Sequence, residues 1–221
     1  MSRPILYSFR RCPYAMRARM ALIIADIEVE LREVVLRNKP PEMLEASPKG
    51  TVPVMIPDGG EILEESLNIM LWALEKHDPE GWIPDTHPDN SPKIPDTLSS
   101  LEADFKPRLD RYKYPTRFDG ESSEDNRDAG LAWLNEHLTP RLTDQANLFG
   151  TQRTLADIGA FPFVRQFANT DQEWWTNNAP TPLQDWLTRH VESELFATAM
   201  AKHAPWQSGE AGVVFPKCQA A

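Results

Sequence analysis

Cysteine is scarce in this chain of 221 residues, which holds only Cys12 and Cys218. Two cysteines cannot make a disulfide framework at this length, so a reducing compartment is expected. Histidine is sparse too, five in all, and no Cys/His spacing suits zinc, so no metal is expected. Long apolar runs are missing. The best candidate, "MALIIADI" (20–27), is far short of the roughly 20 residues that span a bilayer and contains an acid. The opening "MSRPILYSF" has neither a long apolar stretch nor a small-residue cleavage site. No membrane partner and no secretory signal are expected, and the cytoplasm is the expected location. Basic charge is also short: 23 Lys and Arg against 33 Asp and Glu leave a net charge of −10. That argues against a nucleic-acid partner, which needs a basic face to neutralise phosphates. The remaining composition, 41% hydrophobic and 25% charged, is that of a globular protein with length for one large or two modest domains.

The first 80 residues read as a small α/β unit. "PILYSF" (4–9) suits a buried strand, and Cys12-Pro13 then leads into a helical pattern through Met16, Met20 and Ile27. Proline fits the first helical turn, where its missing N–H would be unpaired anyway. "VELREVVL" (29–36) reads as a second strand. "TVPVMIPDGGEILEES" (51–66) reads as two strands joined at Asp58-Gly59-Gly60, and "SLNIMLWALEKH" (66–77) as a helix. The order β-α-β then β-β-α is that of a thioredoxin-like fold. Pro53, opening the third strand, suits a cis bond at Val52-Pro53. The Pro- and Asp-rich stretch 81–95 reads as a linker. Residues 96–215 read as an all-helical domain without a strand, followed by a tail, 216–221. Thr154 and Asp157 open one of its helices as a capping box, and Trp174, Trp175 and Trp186 read as helix packing.

Cys12 carries the chemistry. A thiolate is the nucleophile, and a free cysteine has a pKa near 8.5. A helix N-terminus favours the anion, and Arg10, Arg11, Arg17 and Arg19 make the local field positive, although they cannot all face one sulfur. A packed small hydrophobe is the plainer alternative. In Cys12-Pro13-Tyr14-Ala15 the last position lacks the second thiol of a dithiol redox site. A mixed disulfide at Cys12 therefore needs another thiol to resolve it. Cys218 is poorly placed for that, and a diffusible thiol such as glutathione suits it.

With these features the chain resembles the cytosolic glutathione transferase superfamily, and within it the omega-like, cysteine-type class. The resemblance implies a thioredoxin-like N-terminal domain, an all-α C-terminal domain, glutathione as co-substrate and a homodimer. It implies Cys12 as the residue that forms a disulfide with glutathione, within a Cys-Pro-Tyr-Ala stretch that includes Tyr14. It places Lys39, in "LRNKP", at the glycine carboxylate. Val52, before Pro53, would meet the cysteinyl backbone, and Glu65 and Ser66 would hold the γ-glutamyl group. The chemistry is apt for a ligand with two carboxylates and an ammonium. A lysine meets one carboxylate, a helix start suits the other, and Glu65 can pair the ammonium. Taken singly, Lys39 is also a plain loop lysine, and Ser66 and Glu65 plain helix-start residues.

Three functions follow. The first is thiol transfer or reduction, of thioltransferase or dehydroascorbate-reductase type, through a Cys12–glutathione disulfide. The second is conjugation of glutathione to electrophiles, with Ser8 or Tyr7 activating its thiol. The third is a regulatory protein on the same fold without turnover. The second substrate would be small and either oxidised or electrophilic. Arg108, Arg111, Tyr112 and Tyr114, in the basic and aromatic "DFKPRLDRYKYPTRF" (104–118), could line its pocket or form a solvated helix face.

Overall fold

Pro13 decides where the first helix begins, because it sits at the first helical position directly after Cys12. In the computed structural model, which describes residues 2–83 and 93–216, strand β1 (Ile5–Ser8) runs into helix α1 (Pro13–Ile24). Strand β2 (Val29–Glu33), helix α2 (Pro41–Ala46), strand β3 (Val54–Ile56) and helix α3 (Ser66–Lys76) follow. Next come α4 (Lys93–Ser100), a π-helical turn (Leu101–Phe105), α5 (Lys106–Lys113) and a 3-10 turn (Pro115–Arg117). The remaining helices are α6 (Ser123–His137), α7 (Thr139–Leu142), α8 (Leu155–Ala168), α9 (Gln172–Asn178), α10 (Thr181–Val191) and α11 (Glu194–Ala199). Strand β4 (Val213–Phe215) comes last.

Two units result. One joins the chain through Glu80 with the chain from Ser193 onward; the other is Gly81–Glu192. The first is the expected thioredoxin-like unit. Its sheet runs β3-β1-β2-β4, with β1 and β2 parallel and both outer strands antiparallel to their neighbours. Along β1 the side chains alternate. Tyr7 joins Val34, Met43, Val52 and Val54 in an apolar cluster against which Cys12 packs. Helix α1 is buried nearly all round, including Arg17 and Arg19. The bond Val52-Pro53 is cis, as expected.

Three expectations are corrected. The hairpin's return strand is a single bridge, Met55↔Leu63. Beyond it, Glu64 accepts from the buried Ser47, and the exposed Glu65 pairs with Lys49. Second, the run "PLQDWLTRHVESELFATAMA" (182–201), inside the stretch expected to be one helical domain, forms two helices that belong to different units. Ser193 interrupts it as an N-cap, accepting from the Phe196 N–H at 3.2 Å. Third, the helical unit therefore ends at Glu192, and β4 lies where no strand was expected, paired with β2 as Glu30↔Val214. Of the expected linker, residues 84–92 lie outside the described residues, and helix already begins at Lys93. The tail after residue 216, with Cys218, also lies outside them.

The helical unit packs around α8, whose first ten residues are all buried. Gly159 is required there: a Cβ would lie 2.6 Å from Leu98 of α4. The π-helical turn has a local cause. Pro107 offers no N–H and its ring clashes with a carbonyl four residues back. The Lys106 N–H instead bonds the Leu101 carbonyl, five residues back.

Candidate active site

The site is built on the turn from β1 to α1. Cys12 is the N-cap residue of α1, with extended backbone (φ −77°, ψ 123°) and a half-buried thiol in no disulfide. Its N–H donates to the Phe9 carbonyl at 2.9 Å, closing the turn, and its Sγ lies 3.5 Å from the Val52 carbonyl oxygen. The sulfur thus sits between a helix N-terminus, which favours an anion, and the segment before Pro53. The strand pairing of β3 ends at Tyr7↔Val54, so Val52 lies beyond the ladder. Its backbone is placed to meet an extended peptide.

Three of the four arginine side chains have distinct places. Arg11 lies over the Phe9 ring, 5.3 Å from its centroid. Arg17 is buried; its Nε donates to Ser66 Oγ at 2.9 Å and its guanidinium lies over the Tyr14 ring at 5.0 Å. Arg19 is fully buried and donates to Ser8 Oγ at 3.0 Å and to the Arg10 carbonyl at 2.7 Å. Burial draws Arg19 down to about 10, against the attraction of Glu33 and Cys12.

The rival hydroxyls are buried and each accepts from an arginine. Ser8 is fully buried on Arg19. Tyr7 is 1% exposed, and its hydroxyl accepts from Arg32 Nη1 at 2.7 Å. Burial pushes the Tyr7 phenol above its ordinary value, with Arg32 opposing.

The other expected residues lie beside the loop that leads to Val52 and at the start of α3. A Cβ built on Gly50 would lie 3.5 Å from Lys39 Nζ, so that ammonium lies beside the loop leading to Val52. Among the described residues no carboxylate pairs with Lys39. Glu65, the N-cap residue of α3, is exposed and ion-paired with Lys49, a lysine the sequence reading did not single out. That hydrogen bond raises Lys49 above the usual lysine value. Ser66 is 1% exposed, its hydroxyl facing Arg17 instead of solvent. Its backbone N–H lies in the first turn of α3, where a helix start suits a carboxylate.

The helical unit holds a cavity of about 730 Å³ between the π-turn with α5 and α6. Arg108 and Arg111 line it; Tyr112 and Tyr114 do not. Tyr112 is turned into the core against Phe167, ring centroids 5.1 Å apart. Arg108 is ion-paired with Glu121, and Asp104, Trp133 and Glu136 complete much of the wall. Asp104 lies in the π-helical turn, whereas Glu121 precedes α6 and Trp133 and Glu136 lie on it, so local spacing does not reveal that they share one wall. Among the described residues no group of three or more His, Cys, Asp or Glu could hold a metal, and no helix is long and apolar enough to cross a membrane.

Residues 6–81 match the family model for the glutathione S-transferase N-terminal domain, and residues 94–189 match that for its C-terminal domain. The chain belongs to the glutathione S-transferase family. A "Probable glutathione transferase" of Aplysia californica is 40% identical over 55 residues, 25% of this chain and 60% of that protein. The Mus musculus "Glutathione S-transferase omega-1" is 34% identical over 80 residues, 36% of this chain and 33% of that one. The matched stretch is thus a third to three fifths of these relatives' length. Over the matched 80 residues the chain is similar to that omega-1 protein. A solved glutathione transferase Omega 3C of Trametes versicolor superposes with a TM-score of 0.76 at 19% identity, covering 92% of this chain and 91% of that one. It shares the glutathione S-transferase fold.

Proposed function

We propose that this glutathione S-transferase family member is a thiol transferase acting through a Cys12–glutathione disulfide. One observation carries the reading: Cys12 offers a half-buried thiol, in no disulfide, at the α1 N-terminus, while Ser8 and Tyr7 are buried with their hydroxyls accepting from Arg19 and Arg32.

The Cys12 thiolate attacks the glutathione sulfur of a mixed disulfide. The Cys12–glutathione bond forms as the substrate's S–S bond breaks, and the substrate sulfur leaves as a thiolate that takes a proton from water. A second glutathione thiolate then attacks the glutathione sulfur on Cys12, which releases oxidised glutathione and regenerates the Cys12 thiolate. Ala15 cannot resolve the first disulfide internally, so the second glutathione is required. Lys39 meets the glycine carboxylate, the Val52 backbone pairs with the cysteinyl amide, and Glu65 meets the γ-glutamyl ammonium. The α3 start, through the Ser66 N–H, meets the γ-glutamyl carboxylate. A homodimer in a reducing cytoplasm belongs to the same reading.

The test is intact mass after exposure to oxidised glutathione, with turnover measured on a glutathione mixed disulfide. Wild type gains one glutathione that reduced glutathione removes. Cys12→Ser gains none at that site, and its thiol-transfer rate falls by about a hundredfold or more. Full conjugating activity in Cys12→Ser, with no adduct in wild type, would overturn the reading in favour of an activating hydroxyl.

A further inference from the structure

Arg10 stands two residues before Cys12, and both its peptide groups are held by one buried ion pair. Glu33 Oε1 accepts from the Arg10 N–H at 2.7 Å. Arg19 Nη2 donates to the Arg10 carbonyl at 2.7 Å, and Nη1 donates to Ser8 Oγ at 3.0 Å. The two charges face each other, with Arg19 Nη1 3.8 Å from Glu33 Oε2. Arg19 is 0% and Glu33 9% exposed.

The geometry is poor for stability alone. Arg19 Nε and Glu33 Oε2 have no hydrogen-bond partner, and a buried pair repays its desolvation only when its bonds are complete. Its well-formed bonds go instead to the loop that presents the thiol. The charged and titratable groups on Arg19 are Glu33 from β2, Arg10 from the loop and Cys12 itself. The segment after α11 offers it Met200 Sδ at 4.0 Å, and α3 engages the neighbouring Arg17 through Ser66.

We propose that Arg19 and Glu33 are the positioning pair of Cys12: together they fix the turn from Ser8 to Cys12, and the Arg19 charge sets the pH range over which the thiol reacts. This rests on the reading of Cys12 as the reacting thiol.

The probe is iodoacetamide, which needs no glutathione, used from pH 5 to 9 on the full chain in a Cys218→Ser background. Arg19→Gln moves the alkylation midpoint up by about one pH unit, about tenfold slower below it. Arg19→Lys keeps the charge and a midpoint near wild type. It loses the joint grip on Ser8 and Arg10, so turnover falls about tenfold in kcat with KM for glutathione within about twofold. Glu33→Gln retains an acceptor for the Arg10 N–H and removes the opposing charge, so its midpoint moves down. A merely structural pair would lower thermal stability in all three variants and leave the midpoints of the folded ones unchanged, which would overturn the proposal. Should Arg19→Gln fail to fold, Glu33→Gln decides alone: an unmoved midpoint overturns it. The thiol-transfer reading fails separately, if wild type takes no glutathione adduct while the midpoints still move.

Discussion

At the scale of single residues, buried charges do more here than their sequence context announces. Asp157 is the clearest case. It is fully buried and accepts from the Leu148 N–H at 2.8 Å, from the Thr154 N–H and hydroxyl at 2.9 Å each, and from Trp186 Nε1 at 2.9 Å. The capping box with Thr154 was legible from the spacing alone. The bonds to Leu148 and Trp186 were not, because they reach 9 and 29 residues along the chain. Removing a cap costs about 1 kcal/mol, but Asp157→Ala strands four buried donors at once. The expected loss is about 3 kcal/mol, read as a lowered urea midpoint. A loss of only about 1 kcal/mol would mean that the donors find other partners. The same contrast holds at the candidate site. Cys12, Val52 and Pro53 were readable because a thiol before a proline and a proline opening a strand are rare in local sequence. Arg19 and Glu33 were not, since a buried arginine and a surface one look alike in a string.

Elements were legible where their signals are local. β1, α1, β2 and α8 carry their own start signals and apolar patterns. β4 does not: it has three residues, and its partner lies about 180 positions earlier. What allows the pairing is Gly212. Its N–H donates to Glu30 Oε1 at 3.1 Å, and a Cβ there would lie 2.8 Å from the Leu31 carbonyl oxygen and 2.6 Å from Glu30 Cγ. Backbone cannot give way as a flexible side chain can. Gly212→Val should therefore lift β4 off the sheet edge. The expected result is faster hydrogen exchange at Val213–Phe215, with a loss of about 1 to 3 kcal/mol. Unchanged protection would show that the strand slides to accommodate the side chain. The split between α10 and α11 teaches the same lesson in reverse. Ser193 is a plain N-cap signal, but it lies inside a run whose apolar pattern continues through it.

At the scale of the whole chain, the two units answer acid in opposite directions. His190 is buried in the helical unit, stacked on Phe161 with centroids 5.2 Å apart and edge-on to Trp186. Burial lowers it from 6.5 to about 4; Asp157 opposes, and Arg153 and Arg189 add to the lowering. Between those values the unfolded chain carries a proton on His190 that the folded chain does not. Stability therefore falls as pH falls from 6.5 towards 4, by about 3 kcal/mol in all. Glu33, in the thioredoxin-like unit, is shifted the other way. Burial raises it, more than the Arg10 N–H and Arg19 lower it. A carboxylate raised in the fold adds stability at low pH that is lost as pH rises through its folded value, so acid relieves this unit where it strains the other. Hydrogen exchange, corrected for intrinsic rates, should show α8 and α10 losing protection between pH 7 and pH 5 before β1 and α1 do. His190→Phe keeps the ring contacts and removes the titration, so in that variant the acid sensitivity of α8 and α10 should disappear while their protection at pH 7 stays close to wild type. Equal loss in both units, or sensitivity that persists in His190→Phe, would locate the acid response elsewhere.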